Sequence, residues 1–186
     1  GYDLHTWEWK RSGTAKGSAE KFVEVAVELL KGITEGGTTD DKEETRNTTA
    51  TEIKKIEMAG YEWLVLDEQD GKALIISSKV LEKRAFHSAG GTVVWENCEL
   101  RDYLNGEFYE KTFSTAEKAK ILETTIENKS NSQYGIAGGS DTTDKVFVLS
   151  LNEAEKYMGD GVELLRGIDN ETSEVTWWHL RSPGEA

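Results

Sequence analysis

The sequence predicts a single α+β domain of main extent 53–186, and three observations carry that prediction. Two β-type runs, YEWLVL at Tyr61 to Leu66 and KALIIS at Lys72 to Ser77, flank Asp70-Gly71, a pair suited to the positive φ angles of a tight hairpin turn. The stretch WENCELRDYLNGEFYEKTF, Trp95 to Phe113, puts Leu100, Leu104 and Phe108 on one helical stripe with Cys98 and Tyr103 beside it. The apolar run Val146 to Leu149 reads as a buried central strand. A helix with so apolar a side needs a large cover, and a sheet is the natural one.

Taken in order, Tyr2, Leu4, Trp7 and Trp9 alternate weakly before a small, polar SGTAKGS segment. Ser18 then caps an expected amphipathic helix from about Ala19 to Lys31, with Phe22, Leu29 and Ile33 at helical spacing, so residues 1–33 form an N-terminal segment with one helix. Residues 34–52, acidic and rich in Thr, hold nothing apolar larger than Ala; they cannot bury enough surface to offset their ordering entropy and read as a linker or exposed loop. After the hairpin come Val80 to Phe86, a Gly90-Gly91 loop and a short strand at Thr92 to Trp95. Beyond the central helix, Ser114 and Glu117 form a capping box ahead of Ala119, Ile121 and Leu122, which predicts a second helix. A long polar loop, 128–144, leads to the Val146 to Leu149 strand. Ser150 and Glu153 make another capping box, opening a helix through Tyr157 and Met158 that stops at Gly159. An amphipathic piece from Val162 to Ile168 and an acidic loop deliver the chain to WWHLRSPG, Trp177 to Gly184.

Composition narrows the function classes. Against 22 basic residues stand 35 acidic ones, a net charge of −13, so nucleic acid and anionic membrane are poor partners. A lone cysteine cannot close an internal disulfide, and the framework must stand on its apolar core. No apolar run approaches a membrane span, since even Phe22 to Leu30 is broken by Glu24 and Glu28. The chain opens on Gly1 with neither a Met start nor a basic-then-apolar leader, and since a leader could already have been cut, export stays open.

Four landmarks occur in order: GYEWLVLD at Gly60 to Asp67, WENCELRDYLN at Trp95 to Asn105, DTTDKVFVLS at Asp141 to Ser150, and the Trp-Trp then Leu-Arg-Ser-Pro-Gly segment at Trp177 to Gly184. By these, residues 57–184 resemble a bacterial domain family of unknown function that recurs in surface-type proteins of Gram-positive bacteria. The resemblance implies a relative of the C-type-lectin-like fold, a twisted mixed or antiparallel sheet flanked by two or three helices, whose later loops make a binding face. It also implies an extracellular or cell-surface setting. Two departures stand out: His179 is inserted between the Trp pair and Leu180, and the further strands such domains carry beyond Pro183-Gly184 do not follow before Ala186. The expectation is either that the fold closes differently, borrowing the Trp7/Trp9 segment, or that a sheet edge stays open to another chain, so that copies could join there or through the N-terminal helix.

Several residues are candidates for chemistry. Cys98 would serve as a nucleophile if His87 or His179 approached it as a base, although a thiol on the apolar side of a helix is more often packing. Asp141 and Asp144, in a loop of hydroxyls and glycines, suit calcium, or else simply bond neighbouring backbone amides. Trp177, Trp178 and Arg181 offer a ligand platform, one indole stacking on a flat face and the guanidinium taking an anion, but the favoured reading is structural: one Trp in the core, the other capping it, and Arg181 bonded to carbonyls or an inner acid. On a strand, adjacent residues point to opposite faces, so at most one of the two tryptophans is exposed. The acids Glu96, Glu99, Asp102 and Glu107 show no spacing that selects a hydrolytic pair. The reading that follows is a non-catalytic recognition module, without a cofactor, that binds a protein or a glycan through loops 86–92 and 128–144 and the Trp/Arg segment 177–181. The alternatives are an enzyme using Cys98 or a carboxylate pair, and an assembly domain.

Overall fold

The computed structural model describes residues 20–23, 26–30, 54–89, 92–131, 135–158, 166–169 and 171–184. The alternation from Tyr2 to Trp9, the acidic stretch 34–52, the Gly90-Gly91 pair, Gly159 and residues 162–165 lie outside them. Helices and antiparallel strands are both present, which makes the architecture α+β. Its largest sheet is four-stranded, in the order β2-β5-β4-β3, from β2 (Ala26–Leu30), β3 (Lys55–Met58), β4 (Tyr61–Gln69) and β5 (Lys72–Ser77). The β4–β5 hairpin turns on Asp70 and Gly71, both at positive φ, +50° and +76°. The β3–β4 connection repeats the device with Ala59 and Gly60, at φ +54° and +77°. Ala carries a Cβ penalty in that region. A hydrogen bond of 2.7 Å from Ala59 N to Glu117 Oε1 helps to hold the turn.

The N-terminal helix expected from Ala19 to Lys31 is instead two strands, β1 (Glu20–Val23) and β2. The reason is visible in FVEVAVELL: three valines in alternate positions favour an extended backbone, which outweighs the helical spacing of Phe22 and Leu29. β5 needed a second partner, and β2 pairs with it antiparallel from Ala26↔Ile76 to Leu30↔Lys72. β1 pairs with β6 (Glu82–Ala85), and β7 (Thr124–Ile126) with β8 (Thr142–Asp144). The last ladder joins β9 (Arg166–Ile168) to β10 (Val175–Trp177).

The central helical stretch runs as α1 (Glu99–Tyr103), a π-helical turn (Leu104–Phe108) and α2 (Tyr109–Thr112). Leu100 and Leu104 are fully buried and Phe108 nearly so. Phe113 gathers the aromatic part of the core, with Trp63, Phe108 and Tyr109 rings 5.9 to 6.2 Å from its own. The helix expected after Ser114 is one turn, α3 (Thr115–Lys118), complete with its reciprocal capping box; Ile121 and Leu122 lie beyond it. Thr92 to Val94 are irregular and Trp95 opens a 3₁₀ turn, so the short strand expected there is absent.

Val146 to Leu149 are buried as expected but do not form a strand. Side chains take over bonds that a ladder would have made. Asn105 Oδ1 accepts from Lys145 N (2.7 Å) and Val146 N (3.1 Å), while its Nδ2 donates to Val146 O (2.9 Å). The Arg181 guanidinium donates to Val148 O (2.8 Å), and Arg181 N to Leu149 O (3.0 Å). The final helix, α4 (Leu151–Met158), starts where the second capping box predicts.

Candidate functional site

Most of the residues that drew functional interest turn out to be joints of the fold. Asp144 is buried; its Oδ2 accepts from Trp95 Nε1 (2.9 Å) and Thr142 Oγ1 (2.7 Å), its Oδ1 from Arg101 Nε (2.7 Å). Asp141, exposed, accepts from Asn128 N at 3.1 Å and so closes the base of the polar loop. The two aspartates therefore have separate roles here. Among the described residues no group of three or more His, Cys, Asp or Glu is arranged to hold a metal ion.

Cys98 is buried, and its Sγ accepts from Arg101 N, which makes it the N-cap of α1. Burial pushes the thiol up to about 12, so it is protonated at neutral pH. His179 is likewise buried, with Nε2 3.0 Å from Arg84 O, and His87 lies 3.9 Å from Glu99 instead. Two of the acids on the helical stretch have separate partners: Glu99 accepts from Ser88 N and Glu107 pairs with Lys111.

The Trp177, Trp178 and Arg181 group is divided between surface and interior. Trp177 is 39 % exposed, whereas Trp178 and Arg181 are 5 % and 4 % exposed. Arg181 makes a two-pronged pair with Glu153, both contacts at 2.5 Å. Burial alone would raise the Glu153 carboxyl, but Arg181 and the Ser150 cap more than offset it and hold it below the usual carboxylate range. Arg181 thus has its charge compensated inside the protein.

Around that pair lies a cleft of about 250 Å³. One wall is the start of the polar loop, Glu127 to Asn131 together with Gly138; the other is the beginning of α4, Ser150 to Glu153, with Glu155, and Arg181 and Ser182 complete the lining. Each wall is fixed by the sequence locally. Asn128 Nδ2 donates to Ser140 O (2.8 Å) and Thr142 Oγ1 (3.4 Å), and Asn131 Nδ2 to Pro183 O (2.8 Å), so the loop is tied to its own return and to the chain after Arg181. Ser182 Oγ accepts from Leu151 N (2.9 Å) and seats the helix start. Gly138 permits the closest approach: a Cβ there would stand 2.0 Å from Asn128 O.

The cleft brings together part of loop 128–144 and part of segment 177–181, but not Trp177, Trp178, Asp141 or Asp144. Loop 86–92 is not in its lining either. Sequence reasoning missed Ser150, Asn152 and Ser182 as site residues. Ser150 already had a structural explanation as a helix cap, and nothing in the spacing of single Ser and Asn residues tells that they will meet.

The profile of a family described as Domain of unknown function (DUF6273) matches residues 70–186. No curated protein and no solved structure matches the chain.

Proposed function

The chain belongs to the family Domain of unknown function (DUF6273), and from that premise we propose that it is a non-catalytic recognition module which holds a protein or glycan ligand in the cleft between the polar loop and α4. One observation carries the reading: loop residues, the start of α4 and the Arg181 segment converge on one concave polar surface. Chemistry on a bound ligand finds less support, because the nucleophile the sequence offered is buried and protonated. A C-type-lectin-like arrangement belongs to the same proposal; it rests on the sequence landmarks and is compatible with a helical stretch buried against antiparallel strands. So does a secreted or surface setting in a bacterium, in which a charged exterior and a core without disulfides would serve equally well.

The test is direct. The protein is screened on mixed peptide and oligosaccharide arrays beside Asn152→Trp, whose exposed position on α4 lets a large side chain fill the cleft without touching the core. Binding by the parent and its loss in the variant are expected. Binding that Asn152→Trp leaves intact would move the site elsewhere.

A further inference from the structure

The lining of the cleft also indicates what kind of group it takes, on the premise that it is the recognition site. Six lining side chains are neutral amides or hydroxyls: Asn128, Ser130, Asn131, Ser150, Asn152 and Ser182. Among the described residues, Leu151 is the one sizeable apolar side chain in the lining and no aromatic is present, so they supply no hydrophobic anchor of the kind on which peptide recognition usually depends. The full charges are mostly cancelled. Glu153 pairs with Arg181 and Glu127 with Lys129 (2.8 Å), which leaves Glu155 as the lining carboxylate without an ion pair among the described residues.

Two further atoms bear on the ligand. Asn128 Oδ1 and Arg181 Nε are buried without a partner, on side chains 8 % and 4 % exposed. Neither orphan can be cured by turning the group around. Asn128 Nδ2 is held by two acceptors, and the other Arg181 nitrogens are held by Glu153 and Val148 O. One is an acceptor in need of a donor and the other a donor in need of an acceptor, and a hydroxyl supplies both. Both atoms lie behind the surface, so a ligand must shift the wall slightly to reach them.

We propose that the cleft takes a neutral polyhydroxyl group, a sugar residue without acidic substituents, and that Glu155 makes it discriminate against acidic ones. The test compares immobilised neutral oligosaccharides with their uronate-bearing analogues and with a peptide panel, using the parent protein, Glu155→Gln, Asn152→Trp and, from the facing wall, Ser130→Trp. Neutral oligosaccharides should bind at least tenfold more tightly than their uronate analogues, Glu155→Gln should narrow that gap, and either Trp variant should abolish binding. Two blocking variants on opposite walls guard against one that fails to fold. Equal or tighter uronate binding overturns the assignment to neutral sugars and the role of Glu155, binding to peptides alone overturns the sugar assignment altogether, and either leaves the recognition reading standing. An absence of binding to every probe overturns both.

Discussion

At the scale of single residues, the signature positions are largely accounted for by the fold. Asp144 receives three donors from three different segments, so it works as a pin between α1, the 3₁₀ turn and β8. Asp144→Asn keeps the volume but removes the charge facing Arg101 and turns an amide toward donors. Removing one partner of a buried pair costs about 3–5 kcal/mol, and because Arg101 keeps some contact with water the lower end, about 3 kcal/mol, is expected. Urea denaturation of the two proteins measures it, and a loss under about 1 kcal/mol would mean that the pin is dispensable. Cys98 yields the matching kinetic prediction. With its thiol held protonated and out of solvent, it should react slowly with a disulfide reagent in the native protein and rapidly in denaturant; fast native reaction would reopen thiol chemistry.

At the scale of elements, the π turn is where local sequence and tertiary demand meet. An extra residue per turn at Leu104–Phe108 accompanies the placement of Asn105, whose amide then imitates a strand partner for Lys145 and Val146 while also donating to Arg101 O. Asn105→Ala would strand two backbone N–H groups and a carbonyl, each worth about 1–3 kcal/mol when buried, and a total loss of about 3 kcal/mol by urea denaturation is expected after partial rescue by water. Ser114→Ala should cost only about 1 kcal/mol, the ordinary value of an N-cap. Glu117→Ala should cost more than that, since Glu117 serves both the cap and the strained Ala59 turn. What the sequence disclosed, and what it hid, follows the same division. The β4–β5 turn and both capping boxes were legible because each is specified by residues a few positions apart. The identity of β2 was not, because FVEVAVELL fits both periods and the choice was made by β5, far along the chain. The burial of the Val146 to Leu149 run is legible, but its apolar pattern points to a strand that it does not form, for its partners are the side chains of Asn105 and Arg181. The cleft was half legible: the polar loop was marked by composition, whereas its meeting with the α4 start depends on contacts such as Asn131 to Pro183 that no spacing announces.

At the scale of the whole molecule, charge sets two opposing responses to pH. A net charge of −13 makes the folded chain repel itself, and acidification relieves that repulsion. Several carboxylates, however, sit below their usual range in the folded state: Glu153 for the reasons given, Glu117 through its bonds from Ser114 and Ala59, and Asp169 through its bonds from Thr172 and Glu171. Depressed folded values mean that the unfolded chain takes up protons first. Their stabilising contribution is therefore complete above the unfolded carboxylate values of about 3.9–4.3 and is lost as pH falls through the lower folded ones. The two effects fall in different windows: relief of self-repulsion is complete at the isoelectric point near pH 4.7, and below it the chain gains net positive charge and repels itself again. The repelling charges are mostly exposed and are screened beyond a Debye length of about 8 Å at physiological ionic strength, whereas Glu153 is largely shielded and held by two prongs. Below the isoelectric point the two act together: the urea midpoint should fall below about pH 4.3, more steeply at low salt than at about 0.15 M salt, where the net positive charge is screened. Glu153→Gln should flatten that fall while lowering stability at neutral pH, because an amide cannot neutralise Arg181. A midpoint that stays level or rises below about pH 4.3 at physiological salt would show that the set of paired carboxylates does not govern the acid behaviour of this domain.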